Sequence, residues 1–174
     1  MKKYNSWCIM KILVLSDSHS ALRFMRQCVQ IIKPDALVHL GDHYDDAQVL
    51  AEENPRLPVH QVPGHCDRYR CPPFAREVLC YSVCGVRLFM THGHNHRVKM
   101  GIGALMSDAR KENAQAVLYG HTHRPDCHLE PDGLWVLNPG SCGHSGGTAG
   151  VLETDGKGIT ACYLVGQEEL EEMK

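Results

Sequence analysis

The chain has no excess of positive charge: 18 Lys and Arg stand against 20 Asp and Glu, for a formal net charge of −2 and a pI of about 6.6. That balance cannot grip a long phosphate backbone, which argues against a generic nucleic-acid-coating protein. No apolar stretch approaches the roughly 18–20 residues of a membrane span. No C-x-x-C pair occurs among the nine Cys, at 8, 28, 66, 71, 80, 84, 127, 142 and 162. A thiol zinc site needs closely spaced pairs, and only Cys80 and Cys84 come near, inside a strand-like stretch. A chain of 174 residues needs no disulfide framework. The cysteines therefore read as reduced thiols of a cytoplasmic protein, several buried as small apolar side chains. Repeats, linkers and low-complexity blocks are also missing. The first ten residues resemble a signal peptide only faintly, because Lys11 interrupts the apolar run and no small-residue cleavage site follows.

With 43% hydrophobic and 22% charged residues, the composition is that of a globular domain. The expected organisation is a loose extension over residues 1–9, one domain over 10–166 and an acidic, frayed tail over 167–174.

Six apolar runs recur, each ending in a polar, Gly-rich cluster: Ile12–Leu15, Ala36–Leu40, Leu57–Val62, Val86–Met90, Ala116–Tyr119 and Leu134–Leu137. Such runs read as buried strands. Helical spacing covers Ala21–Lys33, stopped by Pro34, then Ala47–Glu53 and Ile102–Asn113, with Met100 and Met106 read as core of the last. Further strands are expected over Val78–Cys84, Ala149–Glu153 and Ile159–Val165, the last two joined by an Asp155-Gly156-Lys157-Gly158 turn. Strand–helix alternation followed by hairpins implies an α/β fold of two packed sheets flanked by helices. In such folds sites form beyond the carboxyl ends of the strands.

The surplus residue is His, with 12 copies. Asp17, His19, Asp42, His65, His92, His121 and His123 all fall at strand ends. Successive clusters are 25 (17 to 42), 23 (42 to 65), 27 (65 to 92) and 29 (92 to 121) residues apart. Each step is about one strand–connection–strand unit, so the clusters can converge on one rim. So many imidazoles and carboxylates in one place need positive charge to hold them, and seven groups with one bridging carboxylate suit two divalent ions. Nitrogen and oxygen donors without thiolate point to Mn, Fe, Zn, Co or Ni rather than Mg or Ca. Mn is the first expectation.

These residues carry a resemblance. Asp17-Ser18-His19, Gly41-Asp42-His43-Tyr44-Asp45, Gly64-His65-Cys66-Asp67, Thr91-His92-Gly93-His94, Gly120-His121-Thr122-His123 and Asn138-Pro139-Gly140-Ser141 follow one another in order. Together they resemble the motifs of the calcineurin-like metallophosphoesterase superfamily, most closely its small bacterial and archaeal phosphodiesterase branch. The resemblance runs from about Met10 to Val165. It implies a four-layer αββα sandwich. It also implies that Asp17, His19 and His123 hold a first metal, that His92 and His121 hold a second, and that Asp42 bridges them. A hydroxide between the ions would then attack phosphorus in line, with no phosphoenzyme.

Where the family carries Asn as a ligand of the second metal, this chain has His65. It is expected to ligate still, and to bias that ion toward Zn, Fe or Ni. Cys66 is a poor leaving-group acid, so His94 is taken as the catalytic acid or a phosphate contact. Asp67 is grouped with His94 as orienting a ligand, and Asp45 is expected to orient rather than ligate. His43 lines either the pocket or its rim. His39 and His60 are expected to be satisfied core or edge residues, His96, His128 and His144 to be solvated, Cys66 to be an inert buried thiol, and Asn138 to fix a turn against the site.

The activity so implied is hydrolysis of a small phosphate ester, most readily a diester. Neither long nucleic acid nor a membrane is expected as a partner, and assembly into a homo-oligomer stays open. The rival reading is a non-catalytic, protein-binding scaffold on the same fold, as in the retromer scaffold subunit. A metal-storage or sensing protein is a third. The Cys142–Gly147 stretch departs from the usual family continuation, so substrate preference does not carry over.

Overall fold

The computed structural model describes residues 9–144 and 146–174, so nearly all of the extension expected over 1–9 lies outside the described residues. The elements are β1 (Met10–Leu15), α1 (Leu22–Ile32), β2 (Ala36–His39), α2 (Tyr44–Glu53), β3 (Val59–Gln61), β4 (Val78–Val83), β5 (Val86–Thr91), α3 (Gly103–Lys111), β6 (Ala116–Leu118), β7 (Asp126–Leu129), β8 (Trp135–Asn138), β9 (Thr148–Thr154), β10 (Ile159–Gly166) and α4 (Gln167–Glu172). They form two five-stranded sheets, in the orders β10-β9-β1-β2-β3 and β4-β5-β6-β8-β7. In each sheet three neighbouring strands run parallel (β1, β2, β3 and β5, β6, β8), and the antiparallel strands lie outside them.

The period-two alternation of the strands builds the layers. Ile12, Val14, Val38, Leu88, Leu118, Leu137 and Leu152 turn inward and form the core between the sheets. The alternate residues turn outward: Leu13, Leu15, Leu37 and Val151 pack under Met25, Cys28 and Ile32 of α1 and Leu50 of α2. On the other sheet Phe89, Val117 and Val136 pack under Leu105, Met106 and Ala109 of α3. This is the αββα layering that the sequence led us to expect.

Four local features differ from expectation. Helix α2 starts at Tyr44 rather than Ala47, because the remote Asp67 carboxylate accepts the N–H groups of His43 and Tyr44 and caps it. Strand β7, Asp-Cys-His-Leu, has no apolar run and forms by pairing with β8 alone. Met100 precedes α3 and is exposed rather than core. The tail expected to fray is instead α4, whose Leu170 is fully buried against the α1 layer while Glu169 accepts the Gly166 N–H.

Two histidines belong to this frame. His60 of β3 and Tyr81 of β4 bond at 2.8 Å, joining the sheets along one edge. His39, at the end of β2, is fully buried. Its Nδ1 accepts the Gly41 N–H, so Nε2 carries the proton and donates to Ser18 Oγ at 3.0 Å. Burial pushes His39 down from 6.5 to about 4. It stays neutral when folded and takes a proton more readily when unfolded.

Leu170→Ala should lower the unfolding free energy by about 2–3 kcal/mol, against less than about 0.5 for exposed Glu172→Ala. Equally small effects in denaturant titrations would mean that the tail does not dock. In chelator-treated protein, the His39 contribution is complete above about pH 6.5 and is lost as the pH falls toward 4, amounting to about 3 kcal/mol. Stability–pH curves for His39→Gln should lack that component.

Candidate metal centre

The parallel strands of both sheets end at one rim, and the loops leaving them carry the predicted residues. Asp17 and His19 follow β1, Asp42 follows β2, His65 follows β3, His92 and His94 follow β5, and His121 and His123 follow β6. Asp17, His19, Asp42, His121 and His123 all hold positive φ, between 43° and 68°. Asp and His tolerate this left-handed geometry better than most residues, yet it still costs energy. The turns reverse the chain within one or two residues and aim the side chains at a common point.

Two donor groups result, each with its ligand atoms within 4.8 Å of one another: Asp17, His19, Asp42 and His123, and Asp42, His65, His92 and His121. Asp42 belongs to both. Each carboxylate keeps one oxygen for the protein and one free. Asp17 Oδ2 accepts Ser16 Oγ–H and the His121 N–H, whereas its buried Oδ1 has no hydrogen-bond partner and lies 3.0 Å from His123 Nε2. Asp42 Oδ1 accepts the Cys66 N–H, whereas buried Oδ2 has no hydrogen-bond partner and lies 3.0 Å from His65 Nδ1 and 3.4 Å from His92 Nε2.

The His92 ring settles what such closeness means. Its Nδ1 is 2.8 Å from the Leu40 carbonyl, which can only accept, so Nδ1 bears the proton. Nε2 of the neutral ring is then a lone pair facing the free oxygen of Asp42 and, at 3.3 Å, His65 Nδ1. Lone pairs opposed at this range repel unless a proton or a cation lies between them. Burial opposes a proton on His92, but Asp42 and Asp17 outweigh it and raise the group. Burial, with the charge of His92, lowers His121 to about 4, and burial also lowers His19. Those two rings are therefore neutral near neutral pH, with lone pairs available. Orphaned buried oxygens facing imidazole nitrogens fit a transition-metal site.

Residues below the rim fix these loops. Asp67 is fully buried and accepts the N–H groups of Asp42, His43, Tyr44 and Gly64 at 2.7–3.0 Å. Asp67, grouped with catalytic His94 and expected to orient a ligand, has its oxygens committed to four amides: it is a positioning residue, and what it orients is backbone. The orienting role expected of Asp45 falls to its neighbour Asp46, which accepts Ser18 Oγ–H and the Ser20 N–H, while Asp45 pairs with Arg70 at the surface. Asn138 does fix a turn: it donates to Gly120 O and Thr122 Oγ1 and accepts the Gly140 N–H. A Cβ at Gly64 would collide with the Asp42 carboxylate, and one at Gly120 with Ser16 Oγ and Asp17.

His94 stands beside the second group, its ring centroid 5.4 Å from His92 and 6.1 Å from His65 and His121, with Nδ1 buried and unpartnered. His43 lies 5.0 Å from His19, on the first side. His144, expected in solvent, is 4.7 Å from His123 and 5.9 Å from His19, and no motif spacing marks it. His96 is likewise not solvated: it packs against Phe89 and faces Asp108. His128 is half-exposed between Asp126 and Glu130. Cys66, expected to be buried, is exposed beside His65, although burial of its sulfur and the Asp42 charge raise its thiol to about 11.

Among the described residues, no helix is long and apolar enough to cross a membrane. Comparison with known proteins agrees with the geometry. A family model, the calcineurin-like phosphoesterase superfamily domain, matches residues 10–157. A phosphodiesterase of Methanocaldococcus jannaschii is 28% identical over 166 residues, covering 85% of this chain and 95% of its own. Among solved structures, a predicted phosphoesterase from Streptococcus pneumoniae superposes with a TM-score of 0.69 at 24% identity, over 92% of this chain and 99% of its own. Vacuolar protein sorting 29 from Cryptosporidium parvum superposes with a TM-score of 0.67 at 16% identity, over 91% of this chain and 99% of its own. With the family model spanning most of the sequence and the fold matching, the chain belongs to the calcineurin-like phosphoesterase superfamily.

Proposed function

We propose that this chain is a phosphodiesterase dependent on two divalent transition ions, Mn foremost, that acts on a small phosphate ester. The observation that carries the reading is Asp42: one buried carboxylate belongs to both donor groups and leaves Oδ2 without a hydrogen bond. Asp17, His19 and His123 would complete one site, and His65, His92 and His121 the other. Two ions held by these residues would supply charge neutralisation at a phosphoryl group and an activated water.

The chain supplies position and hydrogen-bond donors. The Leu40 carbonyl holds His92 in one tautomer, and Asp67 holds the Asp42 backbone. His65 and His123 are partly exposed, so substrate can reach the groups from solvent. His94 is lowered by burial and by His92, so it is neutral near neutral pH. As a neutral ring it donates an N–H hydrogen bond to a phosphate oxygen, the contact role of the two expected of it, rather than a proton. The exposed Cys66 thiol, raised to about 11, is likewise a poor proton donor. The name of the archaeal relative favours a diester.

The second reading, a protein-binding scaffold, has in its favour the likeness to vacuolar protein sorting 29, which extends to the fold. A scaffold has no need of a full donor set, and here both groups are complete.

Asp42→Asn should cut hydrolysis of bis(p-nitrophenyl) phosphate by about 100-fold or more in metal-replete buffer, since it weakens both sites at once. Retention of a tenth of the wild-type rate would count against a shared carboxylate, and wild-type protein indifferent to chelator would favour the scaffold. Elemental analysis should find about two ions per chain, falling toward one in His65→Ala. An unchanged count in that variant would remove His65 from the ligands.

A further inference from the structure

The edge of the sandwich opposite His60 and Tyr81 is where β7, the last strand of one sheet, meets β10, the first strand of the other. Cys127 of β7 is in register with Leu137, and Cys162 of β10 with Leu152. Register partners point to the same face of a sheet, and both leucines lie in the core between the sheets. Both cysteines thus point into the same seam from opposite sides. Their sulfurs are free thiols 2.6 Å apart. Unbonded heavy atoms settle at about 3.5–4.0 Å, and a disulfide brings sulfurs to about 2.05 Å. The strands already hold this pair near bonding range. Among the described residues no third His, Cys, Asp or Glu donor shares the point, which sets aside a thiolate metal site.

We propose that Cys127 and Cys162 form a disulfide that staples the two sheets at this edge when the chain meets a small oxidising disulfide such as oxidised glutathione. The Cys127 thiolate attacks one sulfur of oxidised glutathione and expels a glutathione thiolate. The Cys162 thiolate then attacks Cys127 sulfur in the mixed disulfide and expels the second glutathione. Two electrons pass from the protein sulfurs to glutathione, and the two protons the cysteines give up end on the two glutathione thiols. Both residues are only partly buried and stand at the open edge of the sandwich, which gives the reagent its approach. Burial raises both thiols, Cys162 more strongly, and the Cys162 S–H bonded to Cys127 favours the Cys127 thiolate, which makes Cys127 the attacking group. Few thiolates at neutral pH make the exchange slow, on the order of minutes to hours.

Peptide mapping of the full chain after oxidised glutathione, under non-reducing conditions, should yield a Cys127–Cys162 cross-linked pair. Closing a 35-residue separation constrains the unfolded chain, so the oxidised protein should melt about 10 °C higher. Dithiothreitol should reverse the shift, and Cys162→Ser and Cys127→Ala should each fail to show it. The proposal is overturned if both thiols stay open to alkylation, if either stops at a glutathione adduct, if they pair with other cysteines, or if the cross-link leaves melting unchanged. The mapping uses wild-type protein and so does not depend on either variant folding. Hydrolytic activity enters none of these measurements.

Discussion

Asp17 and Asp42 are fully buried, and each divides its carboxylate between two tasks. One oxygen is bound to serine or backbone, which fixes the group in place. The other is held back, dry and unpaired. A buried acceptor without a donor costs on the order of 1–3 kcal/mol, and two of them facing imidazole lone pairs cost more. The rest of the rim follows from this unmet demand for positive charge. The histidines gather around it, and glycines at 64 and 120 leave the space the carboxylates need.

Holding that arrangement takes a stiff scaffold. Five of the seven predicted metal residues sit in left-handed backbone, at roughly 1 kcal/mol each. Nothing local would keep them there. The turns persist because four amides converge on Asp67, because Asp46 ties the Ser18–Ser20 loop, and because Asn138 braces the loop after β6. These three side chains lie underneath and hold in place residues that would otherwise relax.

Much of this could be read in the sequence because buried parallel strands announce themselves as apolar runs and the turns after them need Gly, Asp and His. Hence the layers and the strand ends were legible, and so was the gathering of these seven residues at one rim. What escaped depends on contacts between distant segments. Asp45 and Asp46 are adjacent, and only the start of α2, set by Asp67, decides which of them faces the Ser18 loop. Strand β7 carries a polar sequence because it is an edge strand, and Leu170 is the one buried residue of α4. His144 reaches the rim on a loop whose course no periodicity encodes.

Both donor groups straddle the boundary between the sheets. In one, Asp17, His19 and Asp42 come from the first sheet and His123 from the second; in the other, Asp42 and His65 face His92 and His121. Whatever cation is captured is therefore gripped by both halves of the sandwich at once. For a cation bound there, occupancy and the docking of the halves would be linked, so a substitution deep in the intervening hydrophobic layer, far from any imidazole, would also weaken its binding.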